Sequence, residues 1–568
     1  MIRTRQLAAS GLLAAVLAFG QAEIGTTETA VTFTSGVNLV PVKVVVRDKQ
    51  GRAVGNLTQD DFVLQDRGKD QTIVRFSVEQ QEAQKVDVIA EAVDEAGRPV
   101  SQPRTPRAAV IPERFIAYIF DDVHTDIGDL MMARQAAVKQ VSEVVAPGTR
   151  VAVYVTSGKD PLEFTDDLEA VKKKLLSVQR FSADSEQNDC PPLTHYWAML
   201  VAINNDPQAT SAGVASVLQC FPGTPADAAL TMLRSLSYAK LETGRRNTSM
   251  GLGIVADVAR RMAILPGTRS IVYVSSGFMV DQVQRGDEQR VFEAAVKAKV
   301  TVNTLDARGL TTGMPPMGQG STSPALMQFQ QRMQIELPLM QSNILGEFAN
   351  ATGGRFIHNT NAYEEGFRRV AAAPEFAYML AFSPSGLKYD GSFHPLKIKL
   401  KARPGLDVKN LEIFTRSGYV APNELANAEE TSREELRDAV FARDEVVDVP
   451  VELSLQYFKS APTEAHLTVV AKVNLDGVQF RKAAERNQDV LTVVSVVFDR
   501  NGNFVKGVQR VLDMKLRDET LEKLLDQGGI SVRSQIDLPP GSYLVRLVVR
   551  DAEGKAMAMR NGAVEIPF

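Results

Sequence analysis

The spacing of apolar and polar positions changes character along the chain. Between residues 29 and 80, "NLVPVKVVVRDKQGRAV" and "DFVLQDRGKDQTIVRFSV" alternate the two kinds and break at Asp48-Lys49-Gln50-Gly51 and at Asp66-Arg67-Gly68. Alternation of period two, punctuated by Asp/Gly turns, predicts hairpins in an N-terminal β-sandwich. Residues 81–112 are polar, end in "GRPVSQPRTPRAAVIPE" and read as a linker.

From about residue 113 short apolar runs alternate with helix-length segments. The runs "RFIAYIF", "RVAVYVT", "RSIVYVSS" and "VTVNTLD" predict strands, and "LMMARQAAVKQVSEVV", "DDLEAVKKKLLSV", "SMGLGIVADVARRMAI" and "EQRVFEAAVKA" predict helices. That alternation argues for a parallel sheet covered by helices on both faces, a doubly wound, Rossmann-like α/β domain over 113–420. Residues 181–245 interrupt the rhythm and read as a helical insertion. From about 376, "FAYMLAFSPS", "HPLKIKLKA" and "VKNLEIFTRSGYV" predict strands that extend that sheet or pack against it. A charged helical linker, 421–447, leads to a run of strands and Asp-x-x-Gly turns that predicts a second sandwich, 448–568. The expected fold class is therefore multidomain, with a central α/β doubly wound parallel sheet flanked by all-β sandwich domains.

Composition fits this picture. The chain has 568 residues, 44% hydrophobic and 23% charged, too many for one core, and a formal net charge of −4. So balanced a chain lacks the bulk basic charge of a nucleic-acid binder. Arg3, Arg5 and "LAASGLLAAVLAF" have the form of an export signal over residues 1–22, with acceptable cleavage after Gly20 or Ala22. The apolar run is shorter than the ~20 residues of a membrane span, so no span is expected after the signal is removed. A secreted or periplasmic location follows. The two cysteines, Cys190 and Cys220, are then expected to pair in an oxidising compartment, a closure worth on the order of 3 kcal/mol. Two separate buried thiols are the alternative.

In a doubly wound sheet, ligands bind beyond the carboxyl ends of the strands. Those ends carry Asp121, Asp122, His124, Thr125 and Asp126, then Ser275, Ser276 and Gly277, with Asn247 and Thr248 opening the helix "SMGLGIVADV". The motifs "IFDDVHT", "NTSMGLGIVADVA", "YVSSGF", "LDARGL", "ATGGRF", "AFSPSG" and "RSGYVAP", with "VRDKQGRAVGNLTQDDFVLQDRGKDQTI" ahead of them, resemble a von Willebrand factor A domain, most closely the bacterial VWFA-related family first defined in acidobacteria. The resemblance covers about 30–420. It implies a metal-ion-dependent adhesion site holding Mg2+ or Mn2+, whose ligands are Asp-x-Ser-x-Ser, a Thr and a further Asp. The first Asp matches Asp121, the first Ser falls on Val123, the second on Thr125, the Thr on Thr248 and the last Asp on Ser276. One hydroxyl and one negative charge are missing from that set, and Asp122 or Asp126 would have to restore the charge. The alternative is that Asp121, Asp122 and Thr248 cap turns and a helix.

No Gly-x-Ser-x-Gly elbow, phosphate-cradling loop or paired-histidine motif is visible, so no enzyme is expected. The irregular methionines Met314, Met317, Met327, Met333 and Met340 read as core or partner-facing positions rather than a copper site. The resemblance implies an exported protein that binds a protein partner or mediates adhesion. A structural scaffold or envelope-assembly module, or a hydrolase-associated factor, are the rival classes.

Overall fold

The computed structural model describes residues 23–568 except 32–39, 50–51, 81–84, 88, 95, 101–107, 111, 146, 182–189, 311–322, 372–375, 385–391, 404–405, 422–432, 434–435, 438 and 442–446. The export signal, Met314, Met317 and most of the charged linker fall outside these residues.

The run "RFIAYIF" forms the strand Arg114–Phe120 at the middle of a six-stranded sheet, ordered 162–165, 149–155, 114–120, 268–275, 300–306, 356–357. Its neighbours pair with it in parallel, and the edge strand Leu162–Thr165 is antiparallel. Phe115 to Phe120 are all buried because both faces are covered, which is why the strand is a continuous apolar run and does not alternate. One face packs the helices Ala226–Met262, Arg285–Lys297 and Pro324–Thr352. The other packs Ile127–Val144, Leu168–Ser177 and Tyr363–Ala371.

The expectation of a central doubly wound parallel sheet as the fold class is corrected. The chain is β-rich: most of its strands lie in other sheets, and the six-stranded sheet with parallel pairing is itself mixed. The sequence reading gave too much weight to four strong helix patterns and too little to the strands outside them.

The expected linear division is corrected as well. Strand Phe376–Phe382 does not extend the mixed sheet. It inserts between Val40–Asp48 and Ile73–Gln80, while Phe393–Leu400 pairs with Phe62–Asp66. The N-terminal sandwich is thus completed by residues some three hundred positions later, around Val42, Val44, Phe62, Tyr378 and Phe382. The C-terminal sandwich likewise takes in distant chain. Ile24–Ala30 pairs with Phe504–Leu516 at the edge of a six-stranded sheet, and Ala90–Ala92, inside the expected linker, joins Val451–Ala461 in the facing sheet. The facing strand Ile530–Leu538 alternates buried and exposed positions, as a half-covered strand should. No helix among the described residues is long and apolar enough to cross a membrane.

Candidate functional site

The central strand of the mixed sheet delivers Asp121 to the rim, where its N–H still bonds the Val274 carbonyl at 2.8 Å. The carboxylate is completely buried. Its Oδ1 accepts from the Thr156 hydroxyl at 2.8 Å and from the N–H groups of His124 and Val123 at 3.1 and 3.3 Å. Its Oδ2 accepts from the Ser275 hydroxyl at 2.6 Å and the Tyr273 hydroxyl at 3.1 Å. His124 Nδ1 lies 3.1 Å from both oxygens. Burial alone would raise this carboxyl. The His124 charge and the bonds from His124, Ser275 and Thr156 outweigh it and hold the group well below the ordinary carboxylate range. Burial, joined by the charge of the same carboxylate, pushes the Tyr273 phenol well above its usual value.

Asp122 follows on the chain and turns to the neighbouring strand end, where it accepts from Ser157 N at 2.8 Å and Ser157 Oγ at 2.6 Å. Its backbone carbonyl accepts from Phe181 N–H at 2.7 Å, which ties the start of the 181–245 segment to this loop. Thr125 Oγ1 accepts from Ser276 N–H at 3.2 Å. The Ser276 hydroxyl lies beside the Asp129 carboxyl, which burial and the charges of Asp126 and Asp306 push upward. Gly277 has φ +78°, and a Cβ there would stand 2.1 Å from the Gln341 carbonyl oxygen, so the turn after Ser276 requires glycine.

Thr248 does not open a helix. It is fully buried within the 37-residue helix Ala226–Met262, which runs unbroken from the insertion to the mixed sheet, and its hydroxyl donates to the Met279 carbonyl at 3.3 Å. The insertion is built on the expected disulfide, Cys190–Cys220, with Cα atoms 5.7 Å apart. Its core gathers Trp197, Leu200, Leu233, Phe329 and Met279. Met279 therefore joins the insertion to the rim through its side chain and its carbonyl at once. On the long helix, Gly244 carries the His195 ring and Gly251 faces Thr156 and His124. Burial, helped by the nearby His124 charge, lowers His195 to about 4 and keeps it neutral at neutral pH.

The five expected metal-site residues thus fall into three hydrogen-bonded groups: Asp121 and Asp122, which share the Thr156 hydroxyl, Thr125 with the Ser276 N–H, and Thr248 with the Met279 carbonyl. As arranged they do not fit a divalent ion held by Asp121, because both of its oxygens already accept hydrogen bonds from the protein and an ion would have to displace them. Among the described residues no group of three or more His, Cys, Asp or Glu side chains stands in ligating range of a common point. The sequence reading carried the last ligand position onto Ser276, but Ser275 is the residue that reaches Asp121. It also passed over Thr156 and Ser157. These follow the apolar run "RVAVYV" and so occupy the same kind of strand end that had singled out Asp121.

No family model matches the sequence, and no curated protein matches it. Among solved structures, the chain is similar to an aerotolerance-related membrane protein from Bacteroides fragilis, at 14% identity and TM-score 0.21 over 45% of this chain and 96% of that one. It is similar to BatB from Bacteroides thetaiotaomicron at 14% identity and TM-score 0.21, over 45% and 95%. The type V pili tip protein Mfa5 from Porphyromonas gingivalis matches at 11% identity and TM-score 0.20, over 88% and 78%. Likeness at this level decides neither family nor activity.

Proposed function

We propose that this is an exported, non-enzymatic protein that recognises a protein partner through the strand-end rim of its mixed sheet and the adjoining disulfide-stapled helices, without a metal ion in the contact. The observation that carries the reading is the saturation of Asp121. A buried carboxylate whose oxygens are taken by Thr156, Ser275, Tyr273 and backbone N–H groups sets the shape of the rim and has no free oxygen to offer an ion. The recognition surface is then the segments that follow the strands of this sheet. Three large apolar side chains that follow strands of this sheet are exposed: Ile127 at the start of helix Ile127–Val144 at 65%, Val283 in the short turn Gln282–Gln284 at 72% and Leu310 after strand Val300–Asp306 at 51%. Apolar groups ringed by polar loops are the usual mark of a protein contact. The disulfide and the signal-like N-terminus support export.

Crosslinking capture from the source cells, with and without chelator, tests this. The expected result is a partner retained in chelator and lost from the triple variant Ile127→Asp, Val283→Asp, Leu310→Asp. A partner released by chelation, or one retained by the triple variant, overturns the reading.

A further inference from the structure

The strand Ile24–Ala30, at the edge of the C-terminal sandwich, is attached almost entirely through its backbone. It forms seven consecutive antiparallel pairs with Phe504–Leu516, from Ile24 opposite Met514 to Ala30 opposite Val508, and among the described residues no strand pairs with its other side. Side chains add little to that hold. Gly25, Thr26, Thr27, Glu28 and Thr29 are exposed, and among its described side chains Ile24 alone packs against the sandwich core. Charge supplies the rest. Glu28 pairs with Arg510, and Glu23, just before the strand, lies 3.3 Å from Arg517 and 3.6 Å from Arg486. The Glu23 carbonyl also accepts from Lys515 N–H at 2.8 Å, and its carboxylate from Arg517 N–H at 3.3 Å. Residues 23–30 thus hold two acids and no base, and the edge that receives them presents three arginines to those acids.

Two consequences follow from this attachment. Releasing the strand uncovers little apolar surface, so the cost is mainly backbone bonds that any strand in the same register would remake. Releasing it also bares the edge Val508–Met514, whose N–H and C=O groups then form a template for another chain. The occupant that fits that template is written into the sequence. Every copy of the chain carries a segment with the matching register and the matching pair of acids, so a neighbouring copy offers the same bonds and the same charge pairs. Trading one strand for an identical one between copies is a low-cost route to association. We propose that Ile24–Ala30 is an exchangeable strand that completes the C-terminal sandwich of a second copy of this chain. The edge Val508–Met514, with Arg486, Arg510 and Arg517 around it, is the surface through which the copies join. This surface is separate from the rim around Asp121, so pairing of copies leaves that rim free.

The test co-produces two differently tagged copies of the chain, one with Thr27→Cys and one with Val511→Cys, and separates them without reductant. Thr27 and Val511 stand directly opposite one another, so the two new thiols come within disulfide reach when the strand of one copy lies on the edge of the other. The expected result is a mixed disulfide dimer, several-fold more abundant than that from the mismatched pair Thr29→Cys with Val511→Cys, because Thr29 stands opposite Gln509. Light scattering of the unaltered chain should show a dimer whose fraction grows with concentration. Should a variant fail to accumulate, the matched pair Thr29→Cys with Gln509→Cys takes its place. Three outcomes overturn the proposal: a single-chain mass at every concentration, a dimer whose matched pairs link no better than the mismatched one, or a Val511→Cys copy linked to a different protein in place of a second copy.

Discussion

Asp121 and Asp489 are both almost completely buried carboxylates near the end of a strand, yet they stand in opposite situations. Asp121 is ringed by side-chain hydroxyls, an imidazole and backbone amides, and its acidity is strengthened. Asp489 has one backbone donor on one oxygen, none on the other, and a second carboxylate beside it, and its acidity is weakened. Burial is the same in both. What differs is whether the neighbouring chain supplies donors or more negative charge, and that decides whether a buried acid ionises and organises a site or holds on to its proton.

The largest effect should come from emptying the first of these. Asp121→Ala strands the Ser275, Tyr273 and Thr156 hydroxyls together and is expected to cost about 3–5 kcal/mol in urea unfolding, the range for removing one partner of a buried charged network. A loss below about 1 kcal/mol would erase the contrast with Asp489. Next is the disulfide. Cys190→Ser with Cys220→Ser should cost about 3 kcal/mol and weaken partner capture, while leaving the Asp121 network in place.

The pH dependence of stability should separate the two carboxylates by sign. A group depressed on folding, such as Asp121, contributes fully above its unfolded value near ~3.9 and loses that contribution only as the pH falls through its lower folded value. Asp489, raised to about 7, does the reverse: the chain should lose stability as the pH rises from ~3.9 through about 7, and Asp489→Asn should remove that slope. Unfolding series from pH 4 to pH 8 with both proteins measure it, and equal slopes would contradict the assignment. The smallest stability effect belongs to Ile127→Asp at the exposed rim, within about 0.5 kcal/mol, although capture of a partner should fall sharply.

How far the sequence showed these features varies with the range of the forces involved. The strands 114–120, 149–155, 268–275 and 300–306 were legible because each is a short apolar run between turn signals, and helices such as 285–297 because their apolar positions recur at helical spacing. Thr248 was misplaced as a helix opening because "NTS" looks like a cap. Nothing local reveals that the preceding segment, from Ala226, is already helical and continues straight through. Asp121 was found from its strand end, but its partners Thr156, Tyr273 and Ser275 lie 35, 152 and 154 residues away, beyond any local pattern. Asp489 and Asp551 escaped notice for the same reason. Each sits in an ordinary β pattern, and only strand pairing brings them face to face. The sandwich boundaries failed because edge strands such as Ile24–Ala30 and Ala90–Ala92 carry no mark of the sheet they join.

One of those edge strands bears on how the chain reaches its native state. Ile24–Ala30 docks along Val508–Met514, and the Arg517 N–H closes onto the Glu23 carboxylate across 494 residues of sequence. A ribosome delivers the first of these segments long before the second, so during synthesis the early strand has an unpaired edge for most of the time the chain is being made. The edge of the last sandwich therefore cannot close until the final stretch of the chain has been delivered. A holdase that shields this nascent ribbon should raise the yield more than one acting on the middle of the chain.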